Sequence, residues 1–252
     1  MSPDEVVAEL RAAGCVFAED EAALIVADGR DVAGLLAQRV AGRPLEQVLG
    51  WAEFCGTRLV VQPGVFVPRR RTELLAEVCR ARLAPGDVVV ELCCGAGPVA
   101  AALGPAYQLW AVDLDPVAAA CAVANVPGTV LVGDLYEPLP NRLRGHVQVI
   151  VANAPYVPTA AIATMPAEAR DHEPGVALDG GADGLDVQRR IAAQAALWLA
   201  PHGFLVLETS RSQAQGTAAL MAGLTAEVLR DDDRDSTCVV GSLRADGPGT
   251  TR

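Results

Sequence analysis

The sequence contains no lysine. All 20 of its basic residues are arginine, set against 31 acidic ones, and the formal net charge is −11. A chain with that balance is repelled by phosphate backbones, which disfavours a nucleic-acid partner. The one basic cluster, Arg69-Arg70-Arg71, is short and reads equally well as a solvated helix start. No Cys-x-x-Cys spacing occurs among Cys15, Cys55, Cys79, Cys93, Cys94, Cys121 and Cys238. The number is odd as well, so neither a disulfide framework nor a metal site is expected. No apolar run approaches the ~18 residues of a membrane span. The start, Met1-Ser2-Pro3-Asp4-Glu5, is acidic where a secretory signal is basic. These absences lead us to expect a soluble, cytoplasmic protein with no membrane partner. Its 252 residues, 51% of them apolar, suffice for one substantial core plus a small accessory domain.

Residues 1–45 carry apolar positions at helical spacing. Val6, Leu10 and Ala13 form one run; Val32, Leu35, Leu36 and Val40 form another, with Asp31 as a cap. This predicts a small helical domain. Residues 46–71 read as a linker with a β-hairpin around Thr57-Arg58-Leu59-Val60-Val61. Residues 72–252 form the main domain. There, short β-branched runs alternate with helical stretches. The strands are centred on Val88–Val90, Leu109–Val112, Val130–Val132, Val147–Val151, Phe204–Glu208, Ala226–Val228 and Cys238–Val240. Strand-helix alternation predicts a doubly wound α/β sheet with its ligand at the carboxyl ends of the strands. The Pro- and Gly-rich segment 156–184 is long enough to be functional.

The first of those strands runs into Glu91-Leu92-Cys93-Cys94-Gly95-Ala96-Gly97, where small residues admit a ligand to the backbone N–H groups. Asp113 ends the second strand, where a carboxylate can accept ribose hydroxyls. Asp134 ends the third, where it can take an adenine amino proton while Leu135 packs on the ring. Each alone is an ordinary turn residue; three acidic strand ends in succession point to a nucleoside site. Glu91 beside the Gly-rich turn repels a pyrophosphate and suits a cationic ligand bearing an amino or sulfonium group.

From about Gly42 to Leu243 the chain resembles the HemK/PrmC class of protein-(glutamine-N(5)) methyltransferases. The resemblance is carried by Gly42-Arg43-Pro44-Leu45, Gly50-Trp51-Ala52-Glu53-Phe54, Phe66-Val67-Pro68-Arg69 with Thr72-Glu73, and the loop Glu91 to Gly97. It continues with Asn153-Ala154-Pro155-Tyr156, Glu173-Pro174 and Ala177 to Leu185. It implies a class I S-adenosylmethionine-dependent methyltransferase: a Rossmann-like seven-stranded sheet with a small helical, substrate-docking N-terminal domain. By that resemblance the cofactor lies against Phe66, Arg69, Glu91, Cys93, Gly95, Gly97, Asp113, Leu114, Asp134, Leu135 and Asn153. The catalytic segment is Asn153, Ala154, Pro155 and Tyr156, and Asn153, Tyr156 and Glu173 face the methyl acceptor. A protein substrate, release-factor-like or of another kind, is the implied partner. The sequence departs from the family pattern at Cys93, a usual glycine, at Arg70 and Arg71, a usual proline and acid, and at Ala154, a usual proline. Its helical domain is also short, which makes a divergent subgroup the closer comparison.

An amide nitrogen is a poor nucleophile, and its two N–H groups need two acceptors in one plane. The Asn153 side-chain oxygen and the Ala154 carbonyl supply them, and the change from proline to alanine keeps that carbonyl. Pro155 still biases residue 154 toward extended backbone. The same constellation suits adenine N6 on RNA or DNA, also a planar NH2 group; a degenerate cofactor-binding interaction module is the non-enzymatic alternative.

Overall fold

A capping box starts the first helix. Ser2 Oγ accepts the Glu5 N–H at 3.3 Å, and the Glu5 carboxylate accepts the Ser2 N–H at 2.6 Å. Pro3 takes the first helical position, where its missing N–H is not needed. The computed structural model describes residues 1–243; residues 244–252 of the expected 72–252 domain lie outside them. Four helices come first: α1 (Pro3–Ala12), α2 (Ala18–Ala27), α3 (Val32–Val40) and α4 (Leu45–Leu49). Their apolar faces close on one core that includes Val6, Leu10, Ile25, Leu36 and Leu49. The helical unit therefore runs four residues past position 45. Pro44 leads into α4, and Gly50 ends it at φ +83°. A hairpin follows, β1 (Trp51–Phe54) against β2 (Thr57–Val60), with Trp51 opposite Val60.

The larger domain then alternates. Its elements are α5 (Glu73–Arg80), β3 (Val88–Leu92), α6 (Pro98–Leu103), β4 (Gln108–Asp113), α7 (Pro116–Val123), β5 (Thr129–Val132), β6 (Val147–Ala152), α8 (Ala167–His172), α9 (Asp186–Trp198), β7 (Leu199–Glu208), α10 (Ala214–Ala219), β8 (Leu224–Asp231) and β9 (Ser236–Leu243). The seven-stranded sheet expected from the sequence is present, in the order β5-β4-β3-β6-β7-β9-β8. Pairing is parallel from β5 to β7, and β9 runs antiparallel to both its neighbours. Successive residues of a strand serve opposite faces. Val89 accordingly packs with Leu75, Val151 and Val206 on one side, and Val90 with Ile150, Ile191 and Leu205 on the other. Burial on both faces is why β3 and β6 read as unbroken apolar runs.

The strand order reverses direction between β3 and β6. Chain connections diverge there and leave a crevice beyond the carboxyl ends of the two strands. The loop 93–97 leaves β3 into that crevice, and Asn153 leaves β6 into it. Among the described residues no helix is long and apolar enough to cross a membrane.

Gly97 makes the turn from β3 into α6 possible. It sits at φ +72°, its N–H bonds the Cys94 carbonyl at 2.7 Å, and a Cβ there would lie 2.3 Å from Val126 Cγ2. Gly97→Ala is expected to cost about 1–3 kcal/mol through left-handed strain and overpacking. Pairing it with Val126→Ala should restore part of that loss. Urea unfolding of the two variants checks this; equal midpoints for wild type and Gly97→Ala would show that the loop has room to move.

Candidate functional site

Two cavities open side by side at this crevice, about 980 Å³ and 1020 Å³ with the space at their mouths included. They share one wall made of Phe66, Arg69, Asn153, Pro155 and Ala177. The first cavity lies over the ends of β3, β4 and β5. The second lies over Asn153–Tyr156 and is covered by α8 and its flanking segment.

The first cavity is lined by carboxylates. Glu91, on β3, is 3% exposed; its two oxygens accept the Val99 and Ala100 N–H groups of α6 at 3.2 and 2.7 Å. Burial raises its pKa to about 7 even though those N–H groups pull the other way. Asp113, ending β4, accepts from Gly95 N–H at 2.7 Å and Asp115 N–H at 2.9 Å. Burial raises its pKa too, against those same backbone bonds. Asp115 caps α7 through the Val117 N–H at 2.8 Å. Asp134 is paired with Arg190 of α9 at 2.5 Å. Among the described residues Glu91, Asp113 and Asp115 have no ion-pair partner, so the cavity is net negative. That fits a cationic nucleoside and opposes a pyrophosphate.

Cys93 lies on the wall of this cavity, half-buried, at φ +52°. A side chain in that left-handed region costs roughly 1–2 kcal/mol. Burial, with Asp113 and Asp134 nearby, pushes its thiol well above the usual range, so it stays neutral.

The second cavity is built around Asn153. Asn153 Nδ2 donates to Thr72 Oγ1 at 3.2 Å, and among the described residues nothing donates to Oδ1 or to the Ala154 carbonyl. Ala154 is buried at 1% exposure, and its carbonyl belongs to the wall. The Tyr156 hydroxyl bonds Glu208 Oε1 at 3.4 Å, and the Arg71 guanidinium lies 6.0 Å over its ring. The backbone at Tyr156 is held from behind: Gln213 Nε2 donates to its carbonyl at 2.9 Å, and Gly184 packs so closely that a Cβ would lie 2.3 Å from that oxygen. Segment 156–184 is ordered by Val157, which bonds Leu178 and Gly180 at 3.0 and 2.8 Å.

The site residues expected from the sequence line these two cavities, except Gly97, which packs behind the loop against Ala122 and Val126, and one role changes. Glu173 commits its carboxylate to Arg69 Nη2 at 2.8 Å and the Val67 N–H at 3.1 Å, which makes it a brace of the shared wall. Arg69 itself stacks on Phe66, 5.1 Å from the ring centre. The sequence reading missed Thr72, Arg190 and Glu208. Glu208 is a further acidic strand end, the same signal that singled out Asp113 and Asp134. Arg190 sits mid-helix in α9 and has no local signal.

Against this geometry, comparison with known proteins is decisive for the family. No family model matches the chain. Release factor glutamine methyltransferase of Moorella thermoacetica is 38% identical over 224 residues, 82% of this chain and 77% of that protein. The protein of the same name in Geobacter sulfurreducens is 38% identical over 190 residues, 72% of this chain and 66% of its own length. The chain belongs to the release factor glutamine methyltransferase family. A further relative carries the name of a different activity. The 4-amino-L-phenylalanine/4-methylamino-L-phenylalanine methyltransferase of Streptomyces pristinaespiralis is 35% identical over 73% of this chain and 66% of that one. Solved structures agree on the fold. A methyltransferase from Pyrococcus furiosus superposes with a TM-score of 0.57 at 13% identity, covering 84% of this chain and 99% of that one. A chain of the E. cuniculi Mtq2-Trm112 complex gives 0.53 at 17% identity, covering 72% and 99%.

The buried Glu91 makes ligand binding pH-dependent. A cationic ligand favours the ionised carboxylate, so below about pH 7 binding must release a proton. Affinity for S-adenosylhomocysteine, whose amino group is cationic, is expected to rise by up to about tenfold per pH unit between pH 6 and 7 and to level off above. The ligand-free protein should show the opposite sign. Its pKa lies above the ordinary 4.5, so stability from this group is complete below 4.5 and lost as pH rises through about 7. Calorimetry in buffers of different ionisation enthalpy reads the proton release; its absence between pH 6 and 7 would contradict the assignment.

Proposed function

We propose that this chain transfers a methyl group from S-adenosylmethionine to the side-chain amide nitrogen of a protein glutamine. One observation carries the reading: Asn153 Oδ1 and the Ala154 carbonyl are unclaimed acceptors beside the wall that two cavities share. A primary amide presents two N–H donors in one plane, and two acceptors orient it. Bound in the first cavity, S-adenosylmethionine supplies a methyl group on a positively charged sulfur. Asn153 and Ala154 hold the amide nitrogen toward that cavity, and Tyr156 packs on the amide plane and excludes water. Such alignment is worth up to ~7–11 kcal/mol. No strong base is needed, because the nitrogen sheds a proton readily once it is cationic. Glu173 is not free for that task, since Arg69 and Val67 hold its carboxylate.

On the cofactor side, Glu91 with the loop of Cys93, Gly95 and Gly97 takes the methionine end, and Asp113 and Leu114 take the ribose. Asp134 and Leu135 take the adenine, with Phe66 and Arg69 closing over it. The acceptor cavity supports a neutral acceptor. Its charged residues are paired: Arg69 with Glu173, Arg71 with Glu208, and Glu168 with Arg39. Among the described residues that line it, a polynucleotide finds no free cation. A release factor is the substrate favoured by the relatives' names, and the cytoplasm the compartment favoured by seven free thiols. The Streptomyces relative supports a second reading, a small aromatic amine, whose NH2 group is also planar.

The test offers labelled S-adenosylmethionine with release factors, 4-aminophenylalanine and polynucleotide, followed by mass mapping. Methyl label on a glutamine is expected, and Asn153→Ala should slow its transfer on the order of 100-fold. Label on the aromatic amine or on adenine, with glutamine unmodified, would reject the reading.

A further inference from the structure

We propose that Thr72, backed by the Glu208 carboxylate, is the positioning residue that fixes which end of the Asn153 amide faces the acceptor. The inference rests on Asn153 acting as an acceptor, as proposed above. An asparagine amide is nearly symmetric in shape, and half a turn about its last bond exchanges oxygen for nitrogen. With nitrogen outward, the site would confront one NH2 group with another. Something behind Asn153 has to set the polarity.

The groups behind it form a chain with one direction. Glu208 ends β7 at 1% exposure. Its Oε1 accepts from Arg71 Nε at 3.1 Å and from the Tyr156 hydroxyl at 3.4 Å. Its Oε2 is buried with no direct partner among the described residues. The Thr72 hydroxyl lies beside this carboxylate and, with Arg71, opposes the upward pull of burial on its pKa. A carboxylate only accepts, and a hydroxyl has one proton to give. Once Thr72 directs that proton to Glu208, its oxygen can only accept. Asn153 Nδ2 is the donor it meets, at 3.2 Å. Asn153 Oδ1 is thereby turned to the opposite side, where the acceptor's N–H must come. Paired with the Arg71 guanidinium at 3.1 Å, Glu208 is the accepting end of the chain. The polarity of the whole chain starts from that buried charge.

Three variants and two readouts test this. Thr72→Val keeps the shape and removes the hydroxyl; kcat is expected to fall about 100-fold. KM for S-adenosylmethionine should stay within about threefold of wild type. Thr72→Ser should restore most of kcat. Glu208→Gln lets an amide donate toward Thr72, frees the hydroxyl proton for Asn153 Oδ1, and should lower kcat as Thr72→Val does. The second readout needs no methyl acceptor: in the full-length protein the Asn153 Nδ2 protons should be protected from exchange with solvent. Protection should be lost in Thr72→Val and kept in Thr72→Ser. Wild-type kcat in Thr72→Val, or unchanged protection of those protons, overturns the inference. A wild-type protein inactive on glutamine instead rejects the proposed function, and the exchange measurement still decides the polarity of Asn153.

Discussion

Buried carboxylates that accept backbone N–H groups give this site its shape. Glu91 ties the end of β3 to the first turn of α6, and Asp113 ties the end of β4 to Gly95. Between them they hold the loop 93–97 open at a point where Gly95 and Gly97 take positive φ. A loop of small residues has little side-chain packing to define it, so its conformation has to be set by hydrogen bonds. The same carboxylates then supply the field that selects the ligand. One interaction serves both purposes: a negative charge that satisfies loop N–H groups is buried, and its residual charge faces the cavity.

Arginine is the other half of this electrostatic design. With no lysine in the chain, every positive side chain is planar and forked and stays charged at any relevant pH. At the crevice these forks are matched to acids contributed by distant segments. Arg69 reaches Glu173, Arg71 reaches Glu208, and Arg190 reaches Asp134. The exposed Arg190–Asp134 pair adds little to stability, while Arg69 and Arg71 keep the buried carboxylates of Glu173 and Glu208 from being left unpaired. The shared effect of the three pairs is geometric, since each ties a residue of a cavity wall to a distant segment of the chain. They also leave the two cavities with different character: the first keeps three unpaired carboxylates, while the second is balanced. That difference would suit a cationic ligand in the first cavity and a neutral one in the second.

The fold was legible in the sequence because its signals are local. β-branched runs and the proline-opened helices after Gly97 and Asp115 declare themselves within a few residues, and so do the acidic strand ends. Asn153-Ala154-Pro155-Tyr156 was legible for the same reason. Less visible was how side chains are spent. Glu173 reads as a substrate contact through the block Glu173-Pro174 that resembles the family; that it pairs with Arg69 is a fact about two positions more than a hundred residues apart. Thr72 stood in a recognised block without a role, since its partners Asn153 and Glu208 come together only when β6 and β7 pair. The boundary at residue 45 fell short because Pro44 reads as a break, whereas here it precedes another helix whose Leu49 belongs to the same core.

The helical N-terminal domain also takes part in the acceptor cavity, through a single buried arginine. Arg39 on α3 is 8% exposed and pairs with Glu21 of α2 at 2.6 Å, inside its own domain. Its other nitrogen reaches Glu168 of α8 at 2.9 Å, on the wall of the acceptor cavity. Close by, Gly42 packs against His172 at the end of α8, where a Cβ would stand 3.3 Å from Nε2. Glu21, itself 9% exposed, would be left buried and unpaired if Arg39 moved away, a cost of several kcal/mol. Arg39 is therefore anchored first to its own domain, and α8 is held to that anchor by the weaker, half-exposed end. The Arg39 guanidinium thus links α3 to Glu168, a residue of the wall over Asn153.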